Sequence, residues 1–235
     1  MSEECSWFHE QLAILPLYKF PFNLKELPNN GIYFFYERNE DAMHIQADQT
    51  NLKKLSPRIV RIGTHKQGNF RSRISEHFLL NESRMNFSKS TSKPSDRSIF
   101  RKNIGRALLN KYNDHYLEIW DKDFTSKSNR LLMFSKRDIK KEKEIELNVT
   151  ENIRQNFTFK FIELEEEKNR IGSAGLESRL IGTVSKCKFC GPTDQWLGKF
   201  SPHPKIRDGK LWLTQHLESP VISEIDKISI SNSLR

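Results

Sequence analysis

Two short runs, Asn29–Arg38 (NNGIYFFYER) and Arg58–Gly63 (RIVRIG), set the kind of fold this chain can adopt. The first opens with a turn-forming Asn-Asn-Gly and continues through β-branched and aromatic residues, a strand signal; the second carries the same signal. After Gly63 the apolar period changes: Phe70, Ile74 and Phe78 stand at i, i+4 and i+8, the stripe of a helix packed on a sheet. Arg73 and His77 lie beside that stripe, one turn apart on one edge, where a cleft between helix and sheet would open. The polar stretch Asn39–Pro57 between the strands is too long for a tight hairpin and predicts an inserted ribbon or loop.

The rest of the chain extends this pattern. Leu12–Phe22, broken by Pro16 and Pro21, predicts an extended arm or a short helix. Asn86–Ser98, rich in Ser and Lys, predicts a mobile basic loop. Ile99–Lys111 predicts a helix with Phe100, Ile104, Ala107 and Leu108 inward and Lys102 and Arg106 on an outward face, able to meet phosphates or simply water. Lys136–Glu151, alternating Lys with Glu, predicts an exposed helix or loop without further role. Asn156–Leu164 predicts a third, half-buried strand on its alternating phenylalanines. Ile171–Val184 predicts a helix with Glu177 beside the Leu176, Leu180, Val184 stripe, and the tail from about Ile222 shows no motif. The expectation is an α/β (α+β) single domain over residues 1–235. It has a small, mostly antiparallel three-stranded sheet flanked by helices, insertions at 39–57 and 81–155, and a cap from about residue 185.

Charge narrows the partners. In 235 residues, 39 Lys+Arg against 30 Asp+Glu leave a net +9, which favours a polyanion such as nucleic acid, although solubility alone accounts for such a balance equally well. No apolar run approaches the ~20 residues of a membrane helix, and the start MSEECSWFHEQ lacks a basic, apolar leader, so a soluble, cytoplasmic protein is expected. The three cysteines, Cys5, Cys187 and Cys190, are too sparse for a disulfide framework and are expected to be reduced. Cys187-x-x-Cys190 is half of a zinc motif with no second pair; His203 or His216 offers a third ligand, Cys5 is far away in sequence, and no closed site is evident. The stretch Trp196–Trp212 reads as a structured cap that Lys205, Arg207 or Lys210 could extend to DNA.

Taken in order, Gly31-Ile32-Tyr33, Arg61-Ile62-Gly63, Asn69-Phe70 with Arg73 and His77, then a third strand and a helix with Glu177, the chain resembles the GIY-YIG nuclease family, particularly its restriction-type members. The resemblance runs from Asn29 to about Ile181 around the two insertions. It implies that Tyr33 helps activate the attacking water, that Arg73 is the catalytic arginine, that His77 matches a histidine some members carry, and that Glu177 holds the metal. Arg61 replaces the tyrosine that leads the second motif, and the family's later asparagine has no clear match at Asp194, Gln195 or Ser201. The implied activity is metal-dependent hydrolysis of double-stranded DNA with Mg²⁺ or Mn²⁺, gripped by Lys66, Arg71, Arg101, Lys102, Arg106, Lys205 and Arg207. A homodimer is expected for double-strand cutting, because one site cuts one strand. The rival readings are a nucleic-acid-binding protein whose nuclease centre has decayed and a basic scaffold for acidic partners.

These residue types suit phosphodiester hydrolysis on physical grounds. An attacking water must lose a proton, charge builds on the phosphate, and the leaving oxygen needs neutralisation. One carboxylate, Glu177, can hold a Mg²⁺ that keeps most of its waters, and the planar fork of Arg73 matches non-bridging phosphate oxygens. A phenol is a poor base at neutral pH unless cations stabilise its anion, and Arg61, Lys66 and Arg73 are the candidates for that field.

Overall fold

The turn at Asn29–Asn30 opens a long strand, as its sequence predicts. The computed structural model describes residues 3–44 and 54–234. In chain order the main elements are α1 (Glu3–Ala13), β1 (Tyr18–Lys19), β2 (Ile32–His44), β3 (Lys54–Thr64), α2 (Phe70–Phe78), α3 (Ile99–Lys111), α4 (Ile139–Asn156), β4 (Phe157–Ile162), α5 (Leu176–Lys186) and α6 (Glu224–Ser233). The chain divides into a sheet unit (residues 1–71, 157–196 and 209–235) and a helical unit (residues 72–156 and 197–208). The mixed α/β class is as expected. The expected insertion 39–57 lies partly on residues 45–53, outside the described residues; its flanks continue β2 and β3.

The sheet has four antiparallel strands in the order β1-β4-β2-β3, one more than expected. The extra strand is the two-residue β1, which pairs Tyr18 with Phe159 between the prolines that suggested an extended arm. Alternation sorts β2 onto two faces. Ile32, Phe34 and Tyr36 pack with Phe8 and Leu12 of α1, Leu180 and Val184 of α5, and Ile230 of α6. Tyr33 and Phe35 face the other way, into an aromatic layer in which Phe35 meets Phe159 at 5.9 Å and Phe70 meets Phe161 at 5.6 Å, both edge-on.

Between Tyr36 and Asp41 the pairing with β3 slips, and Asn39 adopts a left-handed φ of 65° that asparagine tolerates better than most side chains. The irregularity turns two carboxylates inward. Glu40 pairs with the fully buried Arg58 at 2.8 Å. Glu37 Oε2 accepts from the indole N–H groups of Trp196 (3.0 Å) and Trp212 (2.9 Å). Burial pushes the Glu37 carboxyl up to about 7 against those two hydrogen bonds. The Trp212 backbone N–H donates to Val60 O at 2.7 Å, on the edge strand β3.

The helical unit corrects three expectations, each because a charge found a buried partner. Lys93 of the supposed mobile loop is buried, pairs with Asp96 at 2.8 Å and lies over the Trp120 and Phe124 rings. In the Lys/Glu-rich segment, Glu142 and Glu146 are buried on α4 beside the Ile145, Val149, Ile153 stripe. They pair with Arg137 at 2.6 Å and Arg101 at 2.7 Å. Lys102 is likewise interior, donating to Asp96 and to Lys122 O rather than facing outward. Burying charge is tolerated here because each ion is paired and hydrogen-bonded.

Candidate active site

Tyr33 of β2 stands opposite Gly63 of β3 in the antiparallel register. Its side chain is buried, and a Cβ built at Gly63 would fall inside the phenol ring and hydroxyl. Glycine at 63 is therefore what lets the phenol lie across β3. Gly31 has a matching reason: a Cβ there would sit 2.5 Å from Ile162 O on β4. The glycines of both motifs thus make room, one for a side chain and the other for a neighbouring strand.

One residue beyond Gly63, the Thr64 backbone N–H donates to Glu177 Oε1 at 3.1 Å. Glu177 sits in the first turn of α5, whose buried Leu176, Leu180, Ile181 and Val184 fix the helix against the sheet. Burial raises the Glu177 carboxyl above the usual carboxylate range; the Thr64 amide and then the charges of Arg61, His216 and Arg170 oppose that rise. Arg61, paired with Phe35, shares the pleated face of Gly63 and Tyr33, and its Nη1 donates to Trp212 O at 2.6 Å. Arg61 is therefore tied to the Trp212 carbonyl, and its charge acts on the glutamate.

The donor set fits one hard divalent cation. Glu177 Oε2 makes no hydrogen bond among the described residues, and a lone carboxylate suits an ion that retains most of its waters.

Three contributors lie outside the sequence motifs. Thr64 holds Glu177 through its amide, and its hydroxyl donates to Gly31 O at 2.6 Å. Arg170 ties the segment after β3 together, donating to Thr64 Oγ1 (2.7 Å), His65 O (2.8 Å) and Gln67 Oε1 (3.1 Å). His216, with a left-handed φ of 61°, lies close enough to Glu177 to act on it electrostatically. A backbone amide leaves no sequence signal, and Arg170 and His216 stand in no recognisable spacing.

Arg73 and His77 belong to the helical unit. Arg73 Nη1 donates to Glu76 Oε2 (3.1 Å) and Arg97 O (2.8 Å). His77 is fully buried; its Nδ1 lies 2.8 Å from the hydroxyl of Ser98, the N-cap of α3, and its ring meets Phe100 edge-on. Of the five expected catalytic residues, Tyr33, Arg61 and Glu177 lie in the sheet unit, Tyr33 against Gly63 and Glu177 on the Thr64 amide.

The expected DNA contacts also divide. Lys66, Lys205 and Arg207 are exposed. Arg71 is spent on Leu27 O at 2.6 Å, and Arg106 on Asp121 and Asn103. Arg101 and Lys102 are corrected: both are interior, and a side chain with almost no exposed surface does not reach a phosphate.

No curated protein and no solved structure matches the chain. No described helix is long and apolar enough to cross a membrane. A family model for the GIY-YIG domain matches residues 21–227, spanning both motifs, Arg73, His77 and Glu177. With that match over most of its length, and with a phenol, two motif glycines and a glutamate in the arrangement just described, the chain belongs to the GIY-YIG family of nucleases.

Proposed function

We propose that the protein is a divalent-metal-dependent DNA endonuclease of restriction type. The observation that carries the reading is the anchoring of the Glu177 carboxylate on the Thr64 amide, beside the glycine over which the Tyr33 phenol lies.

Glu177 would hold Mg²⁺ or Mn²⁺ through Oε2 while Thr64 fixes its orientation through Oε1. The cation, when bound, supplies Lewis-acid neutralisation of charge on the phosphate and leaving oxygen. Tyr33 accepts the proton of the attacking water, in a field made positive by Arg61. Arg73, assigned by its motif position, offers its guanidinium to non-bridging oxygens, and His77 buttresses the start of α3 through Ser98. Exposed Lys66, Lys205 and Arg207 remain as backbone contacts. One site per chain implies a homodimer for double-strand cuts, and free thiols suit a reducing cytoplasm.

The test is supercoiled plasmid incubated with protein in Mg²⁺ or EDTA. Nicking by wild type that EDTA and Glu177→Ala both abolish supports the reading. A shifted but intact plasmid in Mg²⁺ overturns it in favour of a nucleic-acid binder on this fold.

A further inference from the structure

Three thiols and an imidazole, none of them near the motif residues in sequence, meet in the sheet unit. Cys5 and His9 lie one turn apart on one face of α1. Cys187 caps the C-terminus of α5, and Cys190 follows in the next turn. Cys5 Sγ is 3.7 Å from Cys190 Sγ, which is 3.4 Å from His9 Nε2, and the ligand atoms of these three all lie within 4.8 Å of one another. Cys187 sits three residues before Cys190 at the C-cap of α5, close enough for its thiol to act electrostatically on the other two. All three cysteines are free and buried, with His9 half-buried at the edge.

The geometry points to a structural zinc site formed by Cys5, His9, Cys187 and Cys190. A tetrahedral zinc with Zn–S bonds of about 2.3 Å and Zn–N bonds of about 2.0 Å has S···S edges of about 3.8 Å and S···N edges of about 3.5 Å. The observed 3.7 Å and 3.4 Å match those edges, whereas a disulfide needs sulfurs about 2.05 Å apart. The C-x₂-C half motif thus finds its partners not in His203 or His216 but in a Cys-x₃-His on α1. Four protein ligands leave no open position, which marks the site as structural rather than catalytic.

The surroundings suit the charge of such a site. Three thiolates around Zn²⁺ leave one net negative charge, and the buried Arg58 guanidinium acts on Cys190. Lys210 Nζ donates to Cys187 O at 2.5 Å, holding the C-x₂-C turn in place. The metal would clip α1 to a turn 185 residues away in sequence, a closure long enough for a cross-link to stabilise strongly.

The test begins with the unaltered chain, expressed in zinc-replete medium and purified under reductant without chelator. Elemental analysis should find one zinc per chain. Replacement by Co²⁺ should give thiolate charge-transfer absorption in the near ultraviolet and the intense visible bands of a tetrahedral ion. Cys5→Ser and Cys190→Ser should lose the stoichiometric zinc, His9→Ala should weaken binding while keeping the charge-transfer band, and Glu177→Gln should keep the full zinc content. If the serine variants do not fold, the Co²⁺ spectrum of the wild-type chain decides alone. A wild-type protein with no zinc and a cobalt spectrum of the aquo ion would overturn the site, as would a Cys5–Cys190 disulfide in protein kept reduced. Neither result bears on nuclease activity, because Glu177 is not a ligand.

Discussion

Glu177 accepts the backbone N–H of Thr64 at 3.1 Å, so the single carboxylate assigned to the metal is oriented by the strand that ends the second motif. Its burial raises the carboxyl, so folding disfavours the ionised form relative to the unfolded chain. For a group raised on folding, the stabilising contribution is complete below the unfolded value of about 4.3 and is lost as pH rises through the folded value. Glu177→Gln should accordingly melt at or above the wild-type temperature at neutral pH, with the difference vanishing near pH 4, while its nicking slows severely. A melting temperature that falls at pH 7 would contradict this.

The same shift predicts the acid limb of activity. Protonation competes with metal at this carboxylate, so the Mg²⁺ concentration needed for half-maximal nicking should rise on acidification, starting above the ordinary glutamate range. A metal requirement unchanged down to pH 4 would contradict the assignment of Glu177 to the metal.

Glu37 offers a titration that is independent of catalysis. Its carboxyl, raised to about 7 by burial, accepts from both Trp196 and Trp212. Tryptophan fluorescence should therefore change with a midpoint near pH 7, and Glu37→Gln should remove the change. Stability from this group should be complete below about pH 4.3 and lost as pH rises through about 7.

Gly63→Ala places a methyl inside the Tyr33 ring. Overpacking of this kind costs about 1–3 kcal/mol, measurable by denaturant unfolding, and activity should fall with it. Tyr33→Phe should not restore the stability of Gly63→Ala, since ring carbons as well as the hydroxyl are struck.

Buried and exposed cations should part company. Arg101→Met leaves Glu146 buried without its ion partner and should cost about 3–5 kcal/mol of stability. Lys66→Ala should leave stability unchanged, weaken DNA binding across sequences and reduce the salt slope by about 1. An Arg101 variant of wild-type stability would contradict its interior assignment.

These residues also show what the sequence disclosed. Period 2 in Ile32–Tyr36 and period 3.6 in Phe70–Phe78 are local signals, and the strand and helix formed where they were read. The same holds for Ile99–Lys111, whose helix has those bounds. Lys93, Lys102, Glu142 and Glu146 misled because a charge pattern does not reveal whether an ion of opposite sign waits across a fold. The α6 helix carries a local signal of its own, since Ser223 with Asp226 three residues on is a capping box. In the site, Tyr33, Gly63 and Glu177 follow from motif order, whereas the Thr64 amide, Arg170 and His216 depend on tertiary placement. Cys5 and His9 were hidden from the C-x₂-C pair by the length of chain between them.

The central claim is that Tyr33 and Glu177 serve one reaction centre. A double-mutant cycle in single-turnover plasmid nicking tests it most directly. Tyr33→Phe alone should slow nicking by about 10²- to 10⁴-fold, and Glu177→Gln should slow it further still. Because residues acting as a unit are not additive, the double variant should be no slower than Glu177→Gln. Rate losses that multiply, or a Glu177→Gln protein that nicks like wild type, would contradict the account.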